Sequence, residues 1–141
     1  MGQYAFETMK KELELLDDRH CIVCGEKNQY GLKLVFNLEG NILKTKFKPD
    51  KRFQGYRDIL HGGIIGLILD EMIVNLPWKL GMKAVTAEYT VRLKKPVLVG
   101  DELEFTSRII EDKGKLLIVE AEARKTDSTV VATCYGKCIK I

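Results

Sequence analysis

The chain has 141 residues, 45% of them hydrophobic and 30% charged, with 12 Gly and 3 Pro, which excludes a disordered or fibrous protein and allows one sizeable core. Lys and Arg number 23 against 20 Asp and Glu, and a net charge of +3 is too weak to mark a nucleic-acid surface. The longest apolar run, Ile64 to Leu76, is shorter than the roughly 20 residues of a membrane span and carries Asp70 and Glu71 at its centre, so no membrane span is expected. Met1 to Lys10 holds neither an unbroken apolar segment nor a small-residue cleavage site, so a cytoplasmic protein is expected, with its four cysteines mostly as thiols.

Phe6, Met9, Leu13 and Leu16 recur at helical spacing and predict a short amphipathic helix over Tyr4 to Leu16. After a cysteine-bearing connection, Leu32, Leu34, Phe36 and Leu38 alternate with other residues, and Glu39-Gly40-Asn41 turns the chain into a strand from Ile42 to Lys48, which reads as a hairpin. Residues 49 to 60 have Pro, Gly, two Asp and no period, and loops that long tend to be functional. Next comes the segment GGIIGLILDEMIVNLPW, Gly62 to about Trp78, apolar on nearly every face and therefore expected to be a helix buried all round. Four more strands follow, centred on Val85 to Leu93, Leu103 to Ile109, Leu117 to Ala123 and Thr129 to Ile139, with turns at Gly100-Asp101, Asp112-Lys113-Gly114 and Thr126-Asp127-Ser128. About six antiparallel strands and one long apolar helix predict an α+β domain in which a strongly curved sheet wraps the helix. The whole chain, 1–141, reads as a single such domain, with 1–19 as the N-terminal helix and 20–141 as the core.

The charges inside that helix carry the chemistry. A carboxylate in apolar surroundings costs several kcal/mol unless it reaches a cavity, finds a partner or holds its proton. Of the two, Asp70 is expected to be deep and Glu71 to reach solvent, and a buried carboxylate is a candidate general base or nucleophile. At the other end, His61-Gly62-Gly63 opens the helix with uncovered N–H groups where a carbonyl or developing oxyanion can approach, while His61 itself either caps the helix or takes part in catalysis. Asp70 stands seven residues beyond Gly63, about 10.5 Å along the axis, so one carbonyl cannot touch both. The acid is then expected from a second copy whose helix runs antiparallel across a two-fold axis, and an open sheet with free edges favours such pairing too.

Cys21 and Cys24 form a C-x-x-C, and Cys134 and Cys138 lie four apart on the last strand. The latter two would sit about 13 Å apart, too far to chelate one ion, so plain thiols are expected and no metal.

The segments HGGIIGLILDEM (His61 to Met72), TAEYTVRLKKPVLVGDEL (Thr86 to Leu103) and CIVCGEKNQYGLKL (Cys21 to Leu34) resemble the hotdog-fold acyl-CoA thioesterases of the phenylacetate-pathway and thioesterase-superfamily types, over about residues 20 to 139. The resemblance implies Asp70 as general base or nucleophile on the thioester carbon, and the Gly63 amide, with Gly62 beside it, as the group that polarises the thioester oxygen. It implies a homodimer, often paired into a tetramer, an acyl-CoA groove at the subunit interface, and no cofactor. Several relatives carry an Asn six residues before the HGG histidine to orient water, where this chain has Gly55, preceded by Gln54. Gln54 is the candidate substitute, and Arg57, Lys94 and Lys95 are candidates to meet the CoA phosphates. Hydrolysis of an acyl-CoA thioester is the expected function. Two alternatives stand beside it: a module that binds acyl-CoA without turnover, and a hydroxyacyl-thioester dehydratase. The dehydratase ranks lower because His61 and Asp70 lie nine residues and half a helical rotation apart.

Overall fold

The structure, a computed structural model, describes residues 14–141. The helix expected over Tyr4 to Leu16 lies outside them except for its last three residues, which have no regular structure. Six antiparallel strands form one sheet: β1 (Asn37–Glu39), β2 (Ile42–Phe47), β3 (Ala84–Leu93), β4 (Leu103–Lys113), β5 (Leu116–Lys125) and β6 (Val130–Lys140). Their order across the sheet is β1-β2-β4-β5-β6-β3. The long helix α1 (Gly62–Lys79) packs on one face, giving the expected hotdog arrangement of a curved sheet around a helix.

Alternation explains the sheet. Leu103, Phe105 and Ser107 of β4, Leu117, Val119, Ala121 and Ala123 of β5, and Ala132, Cys134 and Cys138 of β6 all face α1, while the residues between them, Ile118 excepted, are more exposed. Gly136 belongs to the same inward row, and a side chain there would put its Cβ 2.6 Å from Cγ2 of Ile73. Glycine at this position lets the helix lie close on the sheet.

The first expected strand is much shorter than its pattern suggested. Leu34 and Phe36 are buried, as the alternation requires, but only Asn37–Glu39 pairs with β2. Lys33 has φ +54, which interrupts an extended run, and Leu32 and Leu34 donate their N–H groups to Ile22 and Val23 instead of to a strand.

The ends of α1 follow capping rules. His61, with φ −62 and ψ 128, caps the start. At the other end Gly81, with φ +86, closes a Schellman motif in which Gly81 N–H donates to Trp78 O and Met82 N–H to Pro77 O. Pro77 sits in the last turn and cannot donate to Ile73 O; the Cys138 thiol reaches that carbonyl at 3.7 Å. Ser107, on β4, donates to the neighbouring Met72 O at 2.8 Å.

The helix is not buried all round, as its composition suggested. Ile65, Ile68, Leu69, Met72, Ile73, Leu76 and Pro77 form one buried stripe, whereas Ile64, Leu67 and Val74 are only partly covered. One sheet can enclose only part of a helix's circumference, so an apolar strip of α1 stays open in the single chain.

Candidate active site

Asp70 and Glu71 are neighbours in sequence and stand about 100° apart around the helix, so they enter different surroundings. Asp70 faces the side of the sheet formed by β3 and β6. Its charge is felt by Tyr89, Cys134 and Cys138, and it has Thr86 beside it. Burial raises its pKa above the ordinary carboxylate range, and the Thr86 hydroxyl offsets only part of that rise. Asp70 Oδ1 and Thr86 Oγ1 are both buried, and neither makes a well-formed hydrogen bond. The pairing of β3 with β6 shifts register between Thr86 and Glu88, a bulge that bends the edge strand beside the carboxylate.

Glu71 departs from expectation. It is withdrawn from solvent on the other flank of the helix, where its Oε1 accepts from Cys21 Sγ at 3.8 Å, Cys24 Sγ at 3.5 Å and Asn75 Nδ2 at 3.4 Å. Burial raises its pKa first of all; the thiols and the amide oppose the rise, and the charge of Asp70 adds to it. Burial and the Glu71 charge likewise push the Cys24 thiol far above its usual range. The sequence missed this contact because its partners are 47 and 50 residues apart along the chain. Cys134 and Cys138 take no part in it; both are buried against α1, which pushes each thiol up to about 12.

At the start of α1, the Gly63 N–H is already engaged: His61 Nδ1 accepts it at 2.8 Å. His61 N–H in turn donates to Phe53 O and Ile64 N–H to His61 O, which ties the cap to the loop before it. A side chain on Gly62 would place its Cβ 2.6 Å from Leu93 Cδ1, so the end of β3 lies directly over the first helical residue.

The loop from 49 to 60 contains a short 3-10 turn, Lys51–Phe53, opened by the Asp50 side chain. Gln54 bridges to Leu60, and its Oε1 accepts from the Asp58 N–H at 3.0 Å, so its amide is committed to the loop. Gly55 lies against the imidazole, with its would-be Cβ 3.3 Å from His61 Cδ2. The Leu60 N–H donates to Val97 O and the Val99 N–H to Asp58 O, which joins this loop to the segment after Lys94 and Lys95. Arg57, Lys94 and Lys95 are all exposed. A recess of about 760 Å³ lies among outward residues such as Lys44, Arg92, Glu104, Arg124 and Tyr135 on the far face of the sheet, and none of the candidate site residues line it.

The sequence model of the thioesterase superfamily matches residues 58–132, more than half of the chain and the whole stretch from the His61 loop through β5. The chain belongs to the thioesterase superfamily. No curated protein matches it significantly. Among solved structures, it is similar to the PaaI protein from the phenylacetic acid degradation operon of E. coli, with a TM-score of 0.73 at 18% identity over 78% of this chain and 80% of that one. It is also similar to a Streptococcus mutans protein bound to acetyl CoA (TM-score 0.71, 19% identity, 77% and 86% covered). A third is a hypothetical thioesterase from Streptococcus pneumoniae with coenzyme A (TM-score 0.72, 13% identity, 77% and 85% covered). At these identities the likeness is one of fold. Within this superfamily member, the edge strand β3 runs past both Asp70, through Thr86, and the helix start, through Leu93, two places about 10.5 Å apart along α1, while Gln54 is turned into its own loop.

Proposed function

We propose that this chain hydrolyses an acyl-CoA thioester to the free acid and CoA, in a site shared between two copies. The observation that carries the reading is Asp70, a half-buried carboxylate whose Oδ1 is buried without a hydrogen-bond partner, set beneath the edge strand β3. Such a group is a stronger base than an exposed aspartate and is costly to keep there without a use. Two copies joined along β3 would continue the sheet and cover the open strip of α1 at Leu67 and Val74. They would also bring Asp70 of one copy toward the helix start of the other.

The thioester oxygen takes the Gly63 N–H after His61 Nδ1 gives it up, with Gly62 N–H beside it and the positive end of the helix dipole behind. Asp70 then accepts a proton from water as the water oxygen bonds to the carbonyl carbon, or attacks that carbon itself to give a mixed anhydride that water afterwards hydrolyses to the free acid, restoring the carboxylate. The C–S bond breaks, and the CoA thiolate leaves and takes up a proton. Arg57, Lys94 and Lys95 meet the CoA phosphates, and the reaction needs no cofactor. The CoA bound to the two streptococcal proteins of the same fold supports the choice of substrate class.

One observation favours a second reading, an acyl-CoA-binding module without turnover. The Gly63 donor is capped, and Gly55 supplies no side chain to orient water. Release of free CoA from short, medium, long and aryl acyl-CoA substrates separates the two. Asp70→Asn is expected to lower kcat at least about a hundredfold, or roughly 2.7 kcal/mol of transition-state stabilisation. Equal rates from both proteins remove Asp70 from the chemistry. CoA binding with no release from any substrate by the wild type establishes the module.

A further inference from the structure

The C-x-x-C segment is not used by this chemistry, and it lies against the flank of α1 that carries Glu71, about 100° around the helix from Asp70. Cys21 and Cys24 direct their sulfurs at the same atom, Glu71 Oε1, from 3.8 and 3.5 Å. One donor atom from each of the three residues lies within 4.8 Å of the other two. Zinc bonds to sulfur at about 2.3 Å and to carboxylate oxygen at about 2.0–2.2 Å, so a tetrahedral site has sulfur–oxygen edges of about 3.5–3.7 Å. The shorter edge here has that length, and the longer one closes with a shift of a few tenths of an ångström.

The turn that carries the sulfurs is shaped for them. The Val23 N–H donates to Cys21 Sγ at 3.4 Å, which fixes the direction of that sulfur, and the Gly25 N–H donates to Cys21 O at 2.8 Å. A side chain at Gly25 would put its Cβ 2.3 Å from Cys21 N and 2.6 Å from Arg19 O, so only glycine permits this winding. Val23 is buried in the core, which anchors the turn on the protein body. Asn75 Nδ2 donates to the same Glu71 oxygen at 3.4 Å and helps to hold the carboxylate in place. Among the described residues, no basic side chain offsets the charge of Glu71.

We propose that Cys21, Cys24 and Glu71 bind a zinc ion, with water or the second Glu71 oxygen in the fourth position. Each thiol releases its proton to solvent as its bond to zinc forms, and the three anionic ligands leave the site with one net negative charge. The ion would clip the turn at Cys21–Gly25 onto α1 beside Asp70, fixing the helix's rotation. This inference does not depend on the hydrolytic reading.

The test uses the full chain, purified under reductant and dialysed against metal-free buffer. Titration with Zn²⁺ against a chromophoric indicator is expected to give about one ion per chain and a rise in Tm reversed by a chelator. Loading with Co²⁺ is expected to give the sulfur-to-metal charge-transfer band and the visible bands of a tetrahedral site. Cys24→Ser should lose both signals, and Glu71→Gln, which keeps the shape of the site, should weaken zinc binding at least about tenfold. The inference is overturned if the reduced wild type takes up no more zinc than a Cys21→Ser/Cys24→Ser variant, shows no Tm response to zinc, or binds it as tightly as Glu71→Gln does. The same holds if the two cysteines are recovered as a disulfide that, once reduced, still takes up no zinc.

Discussion

His61 serves as the cap of α1, and in doing so it covers the donor that the proposed chemistry requires. The two uses of that N–H exclude each other, so the ring must move before a thioester oxygen can bind. If its only role is to cap, His61→Ala should lower stability by about 1 kcal/mol, as loss of an N-cap typically does, and leave kcat within about tenfold of the wild type. Denaturant unfolding and CoA-release kinetics on the same variant check both parts. A kcat loss of a hundredfold or more would assign the imidazole a direct part in the reaction. Gly55 constrains the same ring, because its would-be Cβ lies 3.3 Å from His61 Cδ2. The sequence marked His61, Gly62, Gly63 and Asp70 through residue type and spacing alone. It could not mark the occupied N–H, which depends on a rotamer, or the pairing of Glu71 with the cysteines. Residue spacing does not show that the helix turns the Glu71 carboxylate toward the two thiols.

The elements were legible wherever a period maps onto burial. β3 to β6 lie where alternation placed them, within a few residues at their ends, and α1 ends one residue past the expected Trp78. β1 was overread because Leu32, Leu34 and Phe36 alternate in order to pack, without a neighbouring strand to pair with. The junction of α1 with β6 has a consequence of its own at high pH. Cys138 supplies the hydrogen bond that Pro77 denies to Ile73, and burial holds both Cys134 and Cys138 near about 12 in the folded chain, against about 8.5 for a free thiol. The folded form therefore keeps these protons while the unfolded chain loses them. Their contribution is complete below about pH 8.5 and drains away as pH rises toward 12, at up to about 1.4 kcal/mol per pH unit for each thiol. Unfolding free energies measured across pH 8 to 11 should fall along this alkaline limb. A Cys134→Ala/Cys138→Ala variant, though less stable at neutral pH, should show a shallower slope. Equal slopes in the two proteins would mean that the thiols titrate normally in the folded state.

For the whole molecule, the free edge of β3, the open strip of α1 and the unpartnered oxygen of Asp70 all point to a second copy. No single chain can bring Asp70 and Gly63 to one carbonyl, because the helix between them is rigid and holds them about 10.5 Å apart. Mixed dimers distinguish a shared site from two separate ones. Asp70→Asn removes the base, and Gly63→Val fills the helix start, where even a Cβ would lie 2.9 Å from His61 Nδ1. Each variant alone should be inactive. If the sites are shared, half of the chains mixed under exchanging conditions form heterodimers, and each heterodimer holds one site with both elements intact. Activity should therefore return to about a quarter of the wild-type level per chain. If each copy carries its own complete site, every site in the mixture keeps one defect and no activity returns. Light scattering run in parallel should give a mass of about twice or four times 16.1 kDa, the same for the wild type and both variants. A monomeric, active wild type would require Asp70 to act without a partner and would remove the two-fold axis from the mechanism.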